Sequence, residues 1–171
     1  MWLEQENQEN MLKKIFSSGL RWIWVAILVL AIDRFAKMWA IHYLVMGEPF
    51  RILPIFNLTL AFNTGAAFSF LHSASGWQNI FLGSLAILVS VIILIWLGKL
   101  TARDSWLSIA LSLVLGGAIG NVWDRILYGH VVDFFDFHLG GWHFAIFNTA
   151  DSAICIGAFM MLLHWLIYPN S

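Results

Sequence analysis

From Gly116 to Asp151 the chain reads GGAIGNVWDRILYGHVVDFFDFHLGGWHFAIFNTAD. This stretch holds Asp124, Asp133, Asp136 and Asp151, four of the six aspartates, in a chain that is 60% hydrophobic and 11% charged. A carboxylate near lipid is costly unless it is paired or faces water, so each is a candidate functional group. Two carboxylates that share one site cannot easily both ionise and hold one proton between them near neutral pH. Such a pair can take a proton from water and give one to a leaving nitrogen, as amide hydrolysis requires. No Ser-His or Cys-His pair stands out. Spacing alone does not say which two aspartates come together.

The same stretch offers other chemistry. His130, Asp133, Asp136, His138 and His143 are all metal-ligand types. However, His-Glu-x-x-His is absent, and loop histidines near an interface are more often polar tips at headgroup level, so no metal is expected. Gly117, Asn121 and Asp124 follow one helix face, with Arg125 beside Asp124. An arginine next to a carboxylate favours its charged form. Asn121, Asp124 and Arg125 therefore read as a structural network. Gly116 and Gly120 form a small-xxx-small face for close helix packing. Upstream, Asp33 and Lys37 are four apart with the acid first, the favourable order for a helical ion pair. Such a pair either neutralises charge at an interface or touches a substrate, and the spacing leaves both open. The single cysteine, Cys155, lies in an apolar run and reads as a packing residue.

These residues need a frame, and composition supplies one. A soluble domain is nearer one-quarter charged, so mean hydropathy of +0.78 over 171 residues indicates an integral membrane protein of one domain, residues 1–171. Net charge is −1, which gives no basic surface for nucleic acid. Residues 1–18 form a polar tail. The apolar run after Lys13, Lys14 and Arg21 continues past Asp33 without a small-x-small cleavage site, so it reads as an uncleaved span. Residues 20–44, 77–97, 106–127 and 147–167 each approach the roughly 20 residues a span needs. Lys13, Lys14, Arg21, Lys99 and Arg103 then lie on one side, and Arg34, Lys37, Arg51 and Arg125 on the other. The second set sits beside acids, so the first set is taken to mark the cytoplasm, with both termini inside.

The loop at 46–76 carries a period-two signal at Asn57-Leu-Thr-Leu-Ala-Phe-Asn63, after the helix breakers Pro49 and Pro54. It predicts a small extended or hairpin-like lip on the membrane surface. Asn57-Leu-Thr is also a weak match to a glycosylation sequon. Asp104-Ser105 reads as a helix cap. Beyond Gly129 the chain leaves the helix, which places Asp133 and Asp136 in a Phe-rich loop. Asn148, Asp151 and Ser152 share a face at the start of the last helix.

Five pieces in order resemble the bacterial lipoprotein signal peptidase (signal peptidase II) family: Asp33-Arg-Phe-Ala-Lys37, Phe62-Asn-Thr-Gly-Ala-Ala-Phe-Ser69, Gly116-Gly-Ala-Ile-Gly-Asn121-Val-Trp-Asp-Arg125, Gly129-His-Val-Val-Asp133-Phe and Phe147-Asn-Thr-Ala-Asp151. The resemblance implies an all-α integral membrane fold of four transmembrane helices with a small extracytoplasmic β-sheet. It implies an aspartic endopeptidase of the bacterial inner membrane, with its site towards the periplasm and no cofactor. The implied substrates are diacylglyceryl-modified prolipoproteins, cleaved before the lipidated cysteine, with membrane lipids as surroundings and a monomeric enzyme. The family's catalytic pair falls on Asp133 and Asp151. Its supporting residues fall on Asp33, Lys37, Asn63, Gly65, Asn121, Asp124, Arg125, Asn148 and Ala150. Arg34, Ala36 and Phe62 depart from the family's usual residues. A transporter or proton channel could use aspartates as relay sites, but four spans without broken-helix repeats are few for that. A membrane scaffold would leave the aspartate cluster unexplained.

Overall fold

The computed structural model describes residues 2, 4–6, 15–65 and 77–169. Most of the polar tail, with Lys13 and Lys14, lies outside the described residues, as does the 66–76 part of the first long loop. Four long helices form close to the apolar runs: α1 (Ile23–Tyr43), α2 (Trp77–Lys99), α3 (Ser105–Tyr128) and α4 (Thr149–Ile167). A 3-10 turn, Gly19–Trp22, leads into α1. The helices α2, α3 and α4 are long and apolar enough to cross a membrane. With 21 residues α1 is also long enough, at 1.5 Å per residue, but Asp33, Arg34 and Lys37 interrupt its apolar sequence.

A four-stranded antiparallel sheet completes the fold in the order β1 (Phe50–Leu53), β2 (Phe56–Asn63), β3 (Val131–Leu139) and β4 (Trp142–His143). The expected lip is β2, with β1 folded back on it. Asp133 and Asp136 lie in β3 rather than in a loop. The segment is rich in Val and Phe, which suit a pleated, buried surface. Gly129, at φ 74°, ends α3, and Gly140, at φ 62°, turns β3 into β4. Strict alternation is hidden because Val131, Val132, Asp133 and Phe134 are all buried. Asn57, the sequon residue, is buried within β2.

Helix α3 is the central element. Its apolar window is 56% buried, against 11% for α2 and 17% for α4. Small residues let its neighbours approach. A Cβ on Gly116 would lie 2.7 Å from the Ala26 carbonyl oxygen of α1, and one on Gly117 would collide with the Ala150 carbonyl oxygen of α4. Gly120 opens the space that Asp33 fills, with a Cβ there only 2.6 Å from Asp33 Oδ2. Further along α4, Cys155 is exposed on the outside of the bundle rather than packed within it. The cap of α3 also differs from expectation. Asp104 occupies the capping position, but its Oδ2 turns back to accept from Thr101 N at 2.9 Å and Thr101 Oγ1 at 2.8 Å.

Two apolar clusters bracket a polar layer. One joins Ala26, Ile93, Leu97, Leu111 and Leu115; the other joins Ala40, Leu60, Val132 and Phe134 under the sheet. Between them, along α1 and α3, lie Asp33, Lys37, Asn121 and Asp124, all buried. The approach at Gly117 therefore sets the height of α4 against this layer. Gly117→Ala should lower the apparent melting temperature in detergent by several degrees, the size expected for overpacking of about 1–3 kcal/mol. Gly141→Ala, with open space around the position, should leave it unchanged.

Candidate active site

Lys37 is the centre of the polar layer. Its Nζ lies 2.9 Å from Asp33 Oδ2 and 2.8 Å from Asp124 Oδ2, and it donates to Asn121 Oδ1 at 3.0 Å. Arg34 pairs with the other oxygen of Asp124. Two carboxylates and two cations thus form a neutral group, three of them fully buried. The expected Asp33–Lys37 pair is present, but it is half of a larger cluster. Asp124 takes Arg34 and Lys37 as partners instead of its neighbour Arg125. The Arg125 Nη1 turns the other way and donates to the Asn121 carbonyl at 3.2 Å, in the field of Asp151 and Asp133.

The cluster also holds the chain on either side of the site. Asp33 Oδ1 accepts from Thr149 Oγ1 at 2.7 Å and from Ala150 N at 3.0 Å, satisfying a free N–H in the first turn of α4. The Ala150 side chain must stay small, because it packs without exposure against Gly120. Asp124 Oδ2 accepts from Val132 N at 3.2 Å, which ties α3 to β3.

Amide orientation carries this order to the other two aspartates. The Asn121 oxygen accepts from Lys37 and from Asn148 Nδ2 at 3.2 Å, so its Nδ2 is left to donate to Asp151 Oδ1 at 2.7 Å. Asn148 caps α4. Its Oδ1 accepts from Asp151 N at 2.9 Å, and Asp151 Oδ2 accepts from Asn148 N at 3.3 Å, a reciprocal capping box. The Asn148 Nδ2 then donates to Asp133 Oδ1 at 2.6 Å. From β2, Asn63 Nδ2 donates to Asp133 Oδ2 at 3.0 Å. Asn63 is itself oriented by Gly65 N, which donates to its Oδ1 at 2.8 Å from a backbone at φ 108° that favours glycine. Asp133 and Asp151, from different elements, are thus joined through Asn148 and Asn121.

Burial first, then the charge of Asp151, pushes Asp133 up to about 7, against the opposing effect of Asn63, Asn148 and Lys37. Asp136 sits three residues along the strand in the opposite orientation. Burial there would raise its pKa, but hydrogen bonds from His143 and Thr59 and the His143 charge outweigh it and hold the carboxyl below its usual range. Thr59 Oγ1 is 2.9 Å and His143 Nδ1 2.8 Å from it. His138 stacks on His143, and His130 packs at a tilt against Phe62. Among the described residues no three His, Cys, Asp or Glu side chains converge as a metal ion would require.

The sequence reading passed over Thr149 and the partner of Arg34. Thr149 lies inside the quoted Phe147-Asn-Thr-Ala-Asp151 piece, and a hydroxyl in the first turn of a helix is a ready donor. Arg34 is a charge inside an apolar run, which by itself requires a buried partner.

The family model of signal peptidase II matches residues 25–167. The chain belongs to the signal peptidase II family. The lipoprotein signal peptidase of Coxiella burnetii (strain RSA 331 / Henzerling II) is 47% identical over 150 residues, covering 88% of this chain and 92% of that protein. The one from Yersinia enterocolitica is 46% identical over 159 residues, 93% of this chain and 94% of its own. A bacterial membrane enzyme solved by the in meso method at 2.3 Å resolution superposes with a TM-score of 0.77 at 31% identity, over 88% of this chain and 90% of that one.

The raised pKa of Asp133 has a thermodynamic sign. Between 3.8 and about 7 the folded protein keeps a proton that the unfolded chain has released. Stability therefore falls as pH rises through that window and is level above it. Asp133→Asn removes this loss. Relative to the parent, the variant should gain on the order of 2–4 kcal/mol between pH 4 and pH 8, read as a pH-dependent difference in melting temperature. A constant difference across that range would contradict the assignment.

Proposed function

We propose that this chain is a membrane-embedded aspartic endopeptidase that removes signal peptides from diacylglyceryl-modified prolipoproteins, cutting before the lipidated cysteine. The observation that carries the reading is the junction of Asp133 and Asp151 through Asn148 and Asn121, inside a family of signal peptidases. In this reading Asp151 is the base and Asp133 the acid, because Asp133 is the carboxyl that holds a proton near neutral pH. Asp151 takes a proton from water as its oxygen attacks the scissile carbonyl carbon, and Asp133 protonates the carbonyl oxygen. The tetrahedral diol then collapses. Asp151 gives its proton to the leaving nitrogen as the C–N bond breaks, and a diol hydroxyl returns a proton to Asp133. The products are a signal peptide with a new carboxyl group and a lipoprotein with a free cysteine amine.

The supporting residues take positioning roles here. Lys37, Asp33, Asp124 and Asn121 fix the start of α4, Asn63 and Gly65 fix Asp133 from β2, and Arg125 adds positive charge beside both aspartates. No cofactor enters the reaction.

The setting proposed is one domain of four spans, with α1 as the fourth because its charges are neutralised inside the bundle. Arg21 Nη2 donates to Ala102 O at 2.7 Å, so the 3-10 turn meets the α2–α3 connection at the end away from the sheet. Arg21, Lys99 and Arg103 gather there, which favours cytoplasmic placement of that end and of both termini, with the sheet on the periplasmic side of the inner membrane. The enzyme acts as a monomer. Reporter fusions near Thr101 and Ser171 should report cytoplasm and one near Gly141 the outer side; an outside carboxyl terminus would sink the four-span arrangement.

Catalysis is tested directly with purified protein and a lipid-modified precursor peptide. Asp133→Asn and Asp151→Asn should each cut turnover by roughly three or more orders of magnitude, as loss of one member of a cooperating pair does. Asp136→Asn, on the opposite side of the strand, should be far milder. Turnover of the parent should fall as pH rises above about 7, where Asp133 loses its proton. EDTA should have no effect. Near-normal turnover in either catalytic variant, or abolition by EDTA, contradicts the mechanism.

A further inference from the structure

Past the aspartate pair, the sheet separates two chemistries. Along β3, Phe135, Phe137 and Leu139 alternate with Asp136 and His138; in β1, Phe50 and Ile52 flank Arg51; around β4, Trp142 and Phe144 flank His143. Strand register joins the polar positions: Arg51 faces Asn57, Asn57 faces Asp136, and His138 faces His143. Arg51, Asn57, His138 and His143 line one cavity of about 390 Å³, closed in part by Pro49 and Pro54.

The groups in this cavity are of two kinds. Arg51 is exposed and, among the described residues, has no ion pair. Beside it the His138 and His143 rings stack with centroids 5.2 Å apart. The carboxylate of Asp136, facing Asn57 in the strand register, is buried and already engaged by Thr59 and His143. Asn57, only 4% exposed, has an Oδ1 with no donor among the described residues. A free guanidinium suits a phosphate, which it can hold with two parallel hydrogen bonds. A buried, unpaired amide oxygen needs a donor. The matching ligand is a phosphodiester that carries a hydroxyl or ammonium group a few bonds away.

The opposite chemistry identifies the source. Ile55, Phe137, Leu139, Trp142 and Phe144 line an adjoining apolar cavity that shares His138 with the polar one. Leu139 is 73% and Trp142 65% exposed. Apolar and aromatic tips beside a cationic pocket are the arrangement of a protein surface at the boundary between acyl chains and headgroups.

We propose that the Arg51–Asn57–His138–His143 cavity binds the headgroup of a membrane phospholipid bearing a hydrogen-bond donor, with the Leu139–Phe144 turn resting among its acyl chains. Phosphoglycerol and phosphoethanolamine headgroups meet the requirement. Phosphocholine has the phosphate but no donor for Asn57.

The test uses the full chain in detergent and native mass spectrometry, with short-chain phosphatidylglycerol, phosphatidylethanolamine and phosphatidylcholine as probes and inorganic phosphate as competitor. The first two lipids should be retained about tenfold better than the third, the weight of one hydrogen bond to a buried group. Arg51→Gln should reduce their retention by a similar factor, while Arg51→Lys retains part of it. Arg51 is exposed, so an unchanged melting temperature in Arg51→Gln verifies that folding is intact. Equal retention of phosphatidylcholine, or undiminished retention in folded Arg51→Gln, overturns the proposal. Displacement of lipid by inorganic phosphate at matched concentration also overturns it, by making the cavity a general anion site.

Discussion

A buried ammonium group at Lys37 constrains everything around it. It has no exposure and sits between two carboxylates from different helices, Asp33 and Asp124. Taking one partner away from such a group leaves an uncompensated charge and costs roughly 3–5 kcal/mol. The helices must therefore keep the register that closes the contacts. That requirement explains the glycines. Without Gly120 there is no room for Asp33 beside α3, and without Gly116 and Gly117 neither α1 nor α4 reaches it. The network is weak grounds for stability, since apolar packing could do as well. What it provides is a fixed direction for the Asn121 amide, because an ammonium can only donate.

From that amide the order passes to the start of α4. The first turn of any helix leaves N–H groups unpaired. Here Asp33 and Asn148 accept from two of them, and the reciprocal partner in the capping box is Asp151 itself. The same side chain thus helps cap the start of a helix and belongs to the proposed catalytic pair. Its position is set by local backbone geometry, not by a flexible loop. Asn148 has a second task, since its Nδ2 reaches across to Asp133. A cap of another type, such as serine, would satisfy the helix and leave the carboxylate of β3 without this donor.

The parts legible in the sequence were those with a local cause. Hydropathy placed four helices, the i, i+4 spacing gave Asp33–Lys37, and the period-two run gave β2. The Asn148–Asp151 face was visible because capping uses residues three apart. What escaped depends on elements distant in sequence. The preference of Asp124 for Arg34 and Lys37 over Arg125 follows from helix packing that no spacing encodes. β3 was hidden because it is buried on both faces where it packs beside α1 and α3, so alternation disappears. Gly129 and the Gly140-Gly141 pair were the available signals, as a helix stop and a hairpin turn at the two ends of a Val- and Phe-rich run. The choice of Asp133 and Asp151 over other pairs came from family resemblance; what the structure adds is that Asn148 and Asn121 link these two carboxylates.

Finding β3 also resolves why two aspartates three residues apart differ so strongly. Successive side chains of a strand point to opposite faces, so an odd spacing separates Asp133 from Asp136. Asp133 is turned towards Asn148 and the negative charge of Asp151, with amide donors only, and burial wins. Asp136 is turned towards a hydroxyl and an imidazole, and hydrogen bonding wins. Both are about 2% exposed, but Asp133 lies deeper among protein atoms than Asp136, so it loses more solvation. The difference lies in that depth and in which partners each face of the sheet supplies. Placed on a loop, either carboxylate could have reached the other's surroundings. Held in register against Ala61 and Asn57 respectively, they cannot exchange, and one strand carries a proton-holding acid on one side and a fixed anion on the other.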